Sequence, residues 1–231
     1  MTKSTKIILG AVIVVILTMG SIVTAAVYFI THWTERNIVT DIGEYESYFG
    51  AQGIHRTKNT DVWKKTGESY MVPSGIFPEE LPETAKVEDF YYEYYNPWDP
   101  CYLSYLVYRC DEEDYEAEAG RLRKIPMPEQ YLIYGATEFP YPLLAVDASD
   151  LGYLYAMGDE EQGRIIYVEL TFYNDYTDIE YGNIIPKKYL PIGFDANRDN
   201  PTYLEHKAKI DNAGGEETIG CSAGNRSVSW N

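Results

Sequence analysis

Histidine is scarce in this chain, and its three copies, His32, His55 and His206, stand far apart. They form no HExxH pair, and Cys101, Cys110 and Cys221 form no CxxC or zinc-ligand spacing. These gaps argue against a zinc hydrolase and a thioredoxin-like redox centre. No glycine-rich phosphate loop follows an apolar run, which argues against the common nucleotide-binding classes. Positive charge is short as well, with 19 Lys and Arg against 36 Asp and Glu. Only Lys3 and Lys6 precede residue 31, so residues 31–231 carry 17 − 36 = −19. A field of that sign repels phosphate backbones and anionic lipid, and no nucleic-acid partner is expected. No cofactor is expected either.

Ile7 to Ile30 is a run of 24 residues without one charged side chain. As a helix rising 1.5 Å per residue it spans roughly 36 Å, enough for a hydrocarbon core of about 30 Å. Lys3 and Lys6 lie before it, while Glu35 and Arg36 after it cancel. Positive residues stay cytoplasmic, which puts the N-terminus inside and the bulk of the chain outside. A cleavable signal peptide is the competing reading, with a small-residue site around Ala25 and Ala26. The apolar run exceeds the usual 7–15 residues of a signal peptide and continues through Phe29 and Ile30, which favours a retained anchor.

Beyond the anchor, Ile38, Ile42, Tyr45 and Phe49 recur at helical spacing and predict a helix over 34–49. Residues 51–69 read as a polar linker. Ile76, Phe77 and Leu81 lie among prolines and are expected against the edge of the main domain. Strands are expected at 87–95 and 101–109, forming an antiparallel hairpin through the turn at 96–100. The first of these places Phe90, Tyr92 and Tyr94 on one face. Asp111 then caps a helix to about Lys124, acidic at its start, basic at its end, with Tyr115, Ala119 and Leu122 as its buried stripe. Further strands are expected at 130–134, 143–147, 151–157 and 164–173. In the last, Ile166, Val168, Leu170 and Phe172 make the core face, and Thr171 falls opposite, where truncation should cost little. The fold class is α+β: an N-terminal transmembrane helix, then one domain in which an antiparallel sheet packs against a helix. Its divisions are 1–6 cytoplasmic, 7–30 transmembrane, 31–69 juxtamembrane helix and linker, 70–194 extracytoplasmic domain, and 195–231 flexible tail.

Two runs, IFPEELPETAKVEDFYYEYYNPWDPCYLSYLVYRCDEEDYEAEAGRL and DEEQGRIIYVELTFYND, with KKYLPIGFDA after them, resemble a group of uncharacterised, membrane-anchored or secreted proteins of Gram-positive anaerobes. The resemblance covers roughly residues 70–200. It implies a shared extracytoplasmic domain and carries no assigned activity or catalytic motif.

Each local motif has a plainer explanation. Gly220-Cys221-Ser222-Ala223-Gly224 matches the GxSxG elbow, but no Asp or His follows it. Asp195, Asn197 and Asp199 sit at positions one, three and five of a calcium loop, the weak metal candidates of the chain. His206 stands where that loop needs Glu, and no calcium uptake is expected. Asp111 to Asp114 point around a helix start, and Asp159 to Glu161 form a hairpin tip. Cys101 and Cys110, nine apart on one strand, are too distant to bridge. Cys110 is flanked by acids that oppose a thiolate. No catalytic residue is assigned.

These readings converge on a single-pass cell-membrane protein whose extracytoplasmic domain is a binding or accessory module rather than an enzyme. Its expected partners are the membrane, through Ile7–Ile30, and a protein or cell-envelope glycan. The alternative is an extracytoplasmic hydrolase of envelope material working through paired carboxylates. Converging carboxylates would favour that alternative, and an exposed aromatic patch would favour binding. The 23 tyrosines suit both strands and binding faces.

Overall fold

A computed structural model describes residues 3–33, 35–55, 75–96, 101–148, 152–171, 180–197 and 201. The chain opens with α1 (Lys3–Trp33), 31 residues long. Its side chains are described from Val12 to Tyr28, all exposed. Among the described residues, no helix is long and apolar enough to cross a membrane.

Six antiparallel strands form one sheet in the order β1-β2-β3-β6-β5-β4. They are β1 (Glu35–Val39), β2 (Lys86–Asn96), β3 (Cys101–Arg109), β4 (Leu143–Ala148), β5 (Gly152–Asp159) and β6 (Arg164–Thr171). The hairpins β2–β3 and β5–β6 form as their patterning requires. With β3 beside β6, the two hairpins join at the sheet centre.

The helix expected over 34–49 is a correction. Its first part is β1, paired with β2 from Glu35↔Asn96 to Val39↔Tyr92. A 3-10 turn at Ile42–Glu44 and the short α2 (Tyr45–Phe49) follow. The i, i+4 spacing of Ile38 and Ile42 is helical, but pairing with the long β2 overrides that local signal. The globular domain therefore begins at Glu35 rather than residue 70. The strand expected at 130–134 is also absent: Tyr134 has φ +50° and Gly135 φ +81°, a left-handed pair that interrupts extended backbone. Ala196 is fully buried, so packed structure runs past the expected start of the tail at Asp195.

The sheet is covered on both faces. One face carries Phe90, Tyr92, Leu106, Tyr108, Ile165 and Tyr167 beneath α2, Ile76–Phe77 and α3 (Glu112–Leu122). The other carries Leu103, Val107, Ile166, Val168 and Leu170 beneath chain from 131–143 and 181–196, including α4 (Tyr181–Ile184). Burial on both sides corrects the one-sided reading of β6: Thr171 is 1% exposed. Phe172 lies outside the described residues.

Asp111 caps α3, its Oδ1 accepting from the Asp114 amide at 3.0 Å, and Tyr115, Ala119 and Leu122 are its buried residues. Arg121 ties α3 to the covering segment. It donates to Glu118 Oε2 at 2.7 Å, to the Ile76 carbonyl at 2.7 Å and to the Gly75 carbonyl. Tyr167 of β6 donates to the same Glu118 at 2.6 Å, so one carboxylate joins sheet, helix and loop.

Candidate functional site

Strand register brings a row of polar side chains together under α2. Tyr92, Ser104 and Glu169 are direct neighbours across β2, β3 and β6. All three are 0% exposed. Thr171, one step along β6, donates to Glu169 Oε1 at 3.4 Å. Over this row lies His55, 5% exposed, with Nε2 3.2 Å from Glu169 Oε2 but not aligned for a hydrogen bond. Rings enclose the imidazole: Tyr102 at 4.6 Å and Tyr92 at 5.8 Å, both edge to face, and Phe49 tilted at 5.0 Å.

The local sequence explains how His55 arrives there. Gly50 ends α2, and the Gly53 amide donates to the Gly50 carbonyl at 2.8 Å. A Cβ on Gly53 would collide with the Tyr48 carbonyl oxygen, so only glycine allows this close return. Among the described residues, the buried side-chain polar atoms without a hydrogen-bond partner are His55 Nδ1, Tyr92 Oη, Ser104 Oγ and Glu169 Oε2. All four belong to this one cluster. Such atoms are rare in folded proteins and cost about 1–3 kcal/mol each, so their concentration marks the cluster as specialised.

The opposite face is open at its β1–β2 end. There Glu93, 0% exposed, accepts from Arg36 Nε at 2.7 Å and from Tyr91 Oη at 2.6 Å. The Arg36 guanidinium lies 5.6 Å from the Tyr95 ring centroid, and Tyr91 stacks nearly parallel with Tyr105. Burial and the Glu93 carboxylate push the Tyr91 hydroxyl well above its ordinary range. Tyr91 and Tyr95 are half-buried, and Ile38 beside them is exposed. Arg36 thus balances a buried carboxylate while half of its own side chain faces solvent.

Residues singled out from sequence do not converge. Asp195 turns back on its own loop, accepting from the Asn197 amide at 3.0 Å and from Asn197 Nδ2 at 2.5 Å. Asp199, His206, Cys221 and Ser222 lie outside the described residues. No group of three metal-type ligands occurs among the described residues. Asp111 and Asp114 serve the helix start, and Asp159 caps the turn at 160–162 and pairs with Arg164 at 3.0 Å. Cys101 and Cys110 are unbridged. Burial, then Asp114 and Asp111, push the Cys110 thiol up to about 11, away from nucleophilic chemistry. Asp147 shares the face and cross-strand row of Glu169, and burial raises its carboxyl. Leu154 of β5 stands between them and Glu169 is sealed, so the two do not make an open acid–base pair.

Sequence reading missed both clusters. His55 falls in the polar stretch expected as a linker, and Ser104 and Glu169 fall in the expected strands at 101–109 and 164–173. The one available signal is Ser104, a hydrophilic residue whose neighbours two away are Tyr102 and Leu106; Glu169 lies between Tyr167 and the polar Thr171, which blurs the same pattern. No family model, curated protein or solved structure matches the chain.

Proposed function

We propose that the chain is a single-pass membrane-anchored protein, with the sheet domain outside the cell as a binding or accessory module. The anchor reading rests on the 24-residue uncharged run contained within α1. Its described large hydrophobic side chains are 48–67% exposed, an apolar surface that water does not favour. Thr18, Ser21 and Thr24 donate to the carbonyls of Val14, Leu17 and Gly20 at 2.9–3.0 Å. Hydroxyls satisfied within their own helix suit a surrounding that offers no hydrogen bonds.

The observation that carries the binding reading is the half-exposed Arg36–Tyr95–Tyr91 surface on a sheet otherwise covered on both faces. Tyrosine and arginine give large contact areas at small conformational cost and dominate recognition surfaces. The ligand is a neutral stretch of envelope glycan or a protein segment, since the formal charge of −19 on residues 31–231 disfavours polyanions. The test uses full-length protein in lipid nanodiscs and isolated cell-wall glycan. Tyr95→Ala with Ile38→Ala should lower retention at least tenfold without lowering the melting temperature. Undiminished retention would remove this surface from the reading.

A further inference from the structure

The cluster around His55 does not belong to the proposed binding surface, which lies on the other face of the sheet. We propose that Phe49, Tyr92, Tyr102 and Glu169 form a recognition cage for an organic cation that bears N–H groups, a protonated amine, with His55 as its resident intramolecular occupant.

The composition of the cage selects the ligand class. Aromatic rings attract a cation through their quadrupoles, and a carboxylate at one wall supplies the countercharge. The three ring centroids stand 4.6–5.8 Å from the His55 ring centroid, and Glu169 Oε2 is 3.2 Å from its Nε2. Among the described residues, Tyr92 Oη, Ser104 Oγ and Glu169 Oε2 accept no hydrogen bond, and Glu169 Oε2 has only the unaligned contact to His55 Nε2. An N–H-bearing cation would satisfy them together. An anion is the wrong class, because the wall is a carboxylate, Glu169, whose polar contacts among the described residues are His55 and Thr171. A metal ion fits less well, since only His55 and Glu169 offer strong metal ligands here and no three-ligand group exists among the described residues.

His55 occupies the cage as an imidazole on a short tether. The Gly50–Gly53 turn carries it there, and its delivery needs the glycine backbone described above. An external amine takes the same place only when His55 leaves. The cage is therefore a site in which the chain's own side chain competes with ligand.

Full-length His55→Ala protein in nanodiscs, titrated with imidazole or methylammonium at pH 6, tests this directly. Both cations should raise its melting temperature saturably, benzene should not, and His55→Ala with Glu169→Gln should show no cation response. No response in His55→Ala, or an equal response in the double variant, would overturn the proposal. Should His55→Ala fail to fold, His55→Lys and His55→Met decide the matter. The two side chains are similar in length, and a cation cage makes the Lys variant melt higher. A higher melting temperature for the Met variant would show an apolar socket and no cation site.

Discussion

Tyrosine does two jobs in this protein, and hydrogen bonding separates them. Many rings fill the core while their hydroxyls reach across to pin the segments that cover the sheet. Tyr155 donates to the Tyr189 carbonyl at 2.8 Å, Tyr153 to the Tyr131 carbonyl at 2.7 Å, and Tyr45 to the Pro78 carbonyl at 2.8 Å. Each such bond satisfies a loop carbonyl that would otherwise lose water without replacement. Tyr92 differs, with a buried hydroxyl that has no hydrogen-bond partner among the described residues. Removing a bonded hydroxyl strands its partner, whereas removing an unbonded one relieves a desolvated group. Tyr155→Phe is therefore expected to lose about 1–2 kcal/mol in urea unfolding, while Tyr92→Phe should be neutral or stabilising. A comparable loss in both variants would show that Tyr92 Oη has a strong partner in the ligand-free protein.

At the scale of elements, legibility followed periodicity. The hairpin β2–β3 and helix α3 were readable because each carried several agreeing signals: alternation with a turn cluster for one, an N-cap with charge order and a stripe for the other. The Asp111 cap and the Tyr115–Ala119–Leu122 stripe stand where the pattern put them. β1 was not readable, because five residues hold too little alternation and its strand character comes from pairing with β2. The polar row of Tyr92, Ser104 and Glu169 was invisible for a related reason. Neighbours across strands are far apart in sequence, and register is known only once the sheet is assembled. His55 had the weakest local signal, being placed by a glycine turn beside polar residues. The central strand β6 shows what two-sided burial adds. Leu170 and Thr171 face opposite layers, and both are buried. Leu170→Ala should lose about 2–5 kcal/mol, as buried Leu→Ala changes do. Thr171→Ala should also lose about 1–2 kcal/mol, through lost packing and its contact to Glu169. A Thr171→Ala variant as stable as the parent in denaturant titration would mean that this face of β6 is solvated.

At the scale of the whole molecule, charge and apolarity are segregated along the chain. All acidic residues follow the apolar run, and Lys3 and Lys6 alone precede it. A helix held by a membrane gains little from packing on a sheet, and among the described residues none of α1 belongs to the two clusters that cover the sheet. That division of labour is what an anchor with an external domain requires. The acidic domain would be held off an anionic bilayer by like charge, leaving the β1–β2 surface free for a partner. The proposed topology has a direct consequence. A reporter active only outside the cytoplasm, fused after Asn231, should be active in intact cells. The protein should fractionate with membranes, resist carbonate extraction, and retain Met1 when its N-terminus is sequenced. Protease added to whole cells should remove the sheet domain and leave a membrane-bound fragment of about the size of α1. Recovery of a soluble form beginning near Ala26 would instead show that the apolar run is cleaved on export, and a protease-resistant domain in intact cells with an inactive reporter would reverse the orientation.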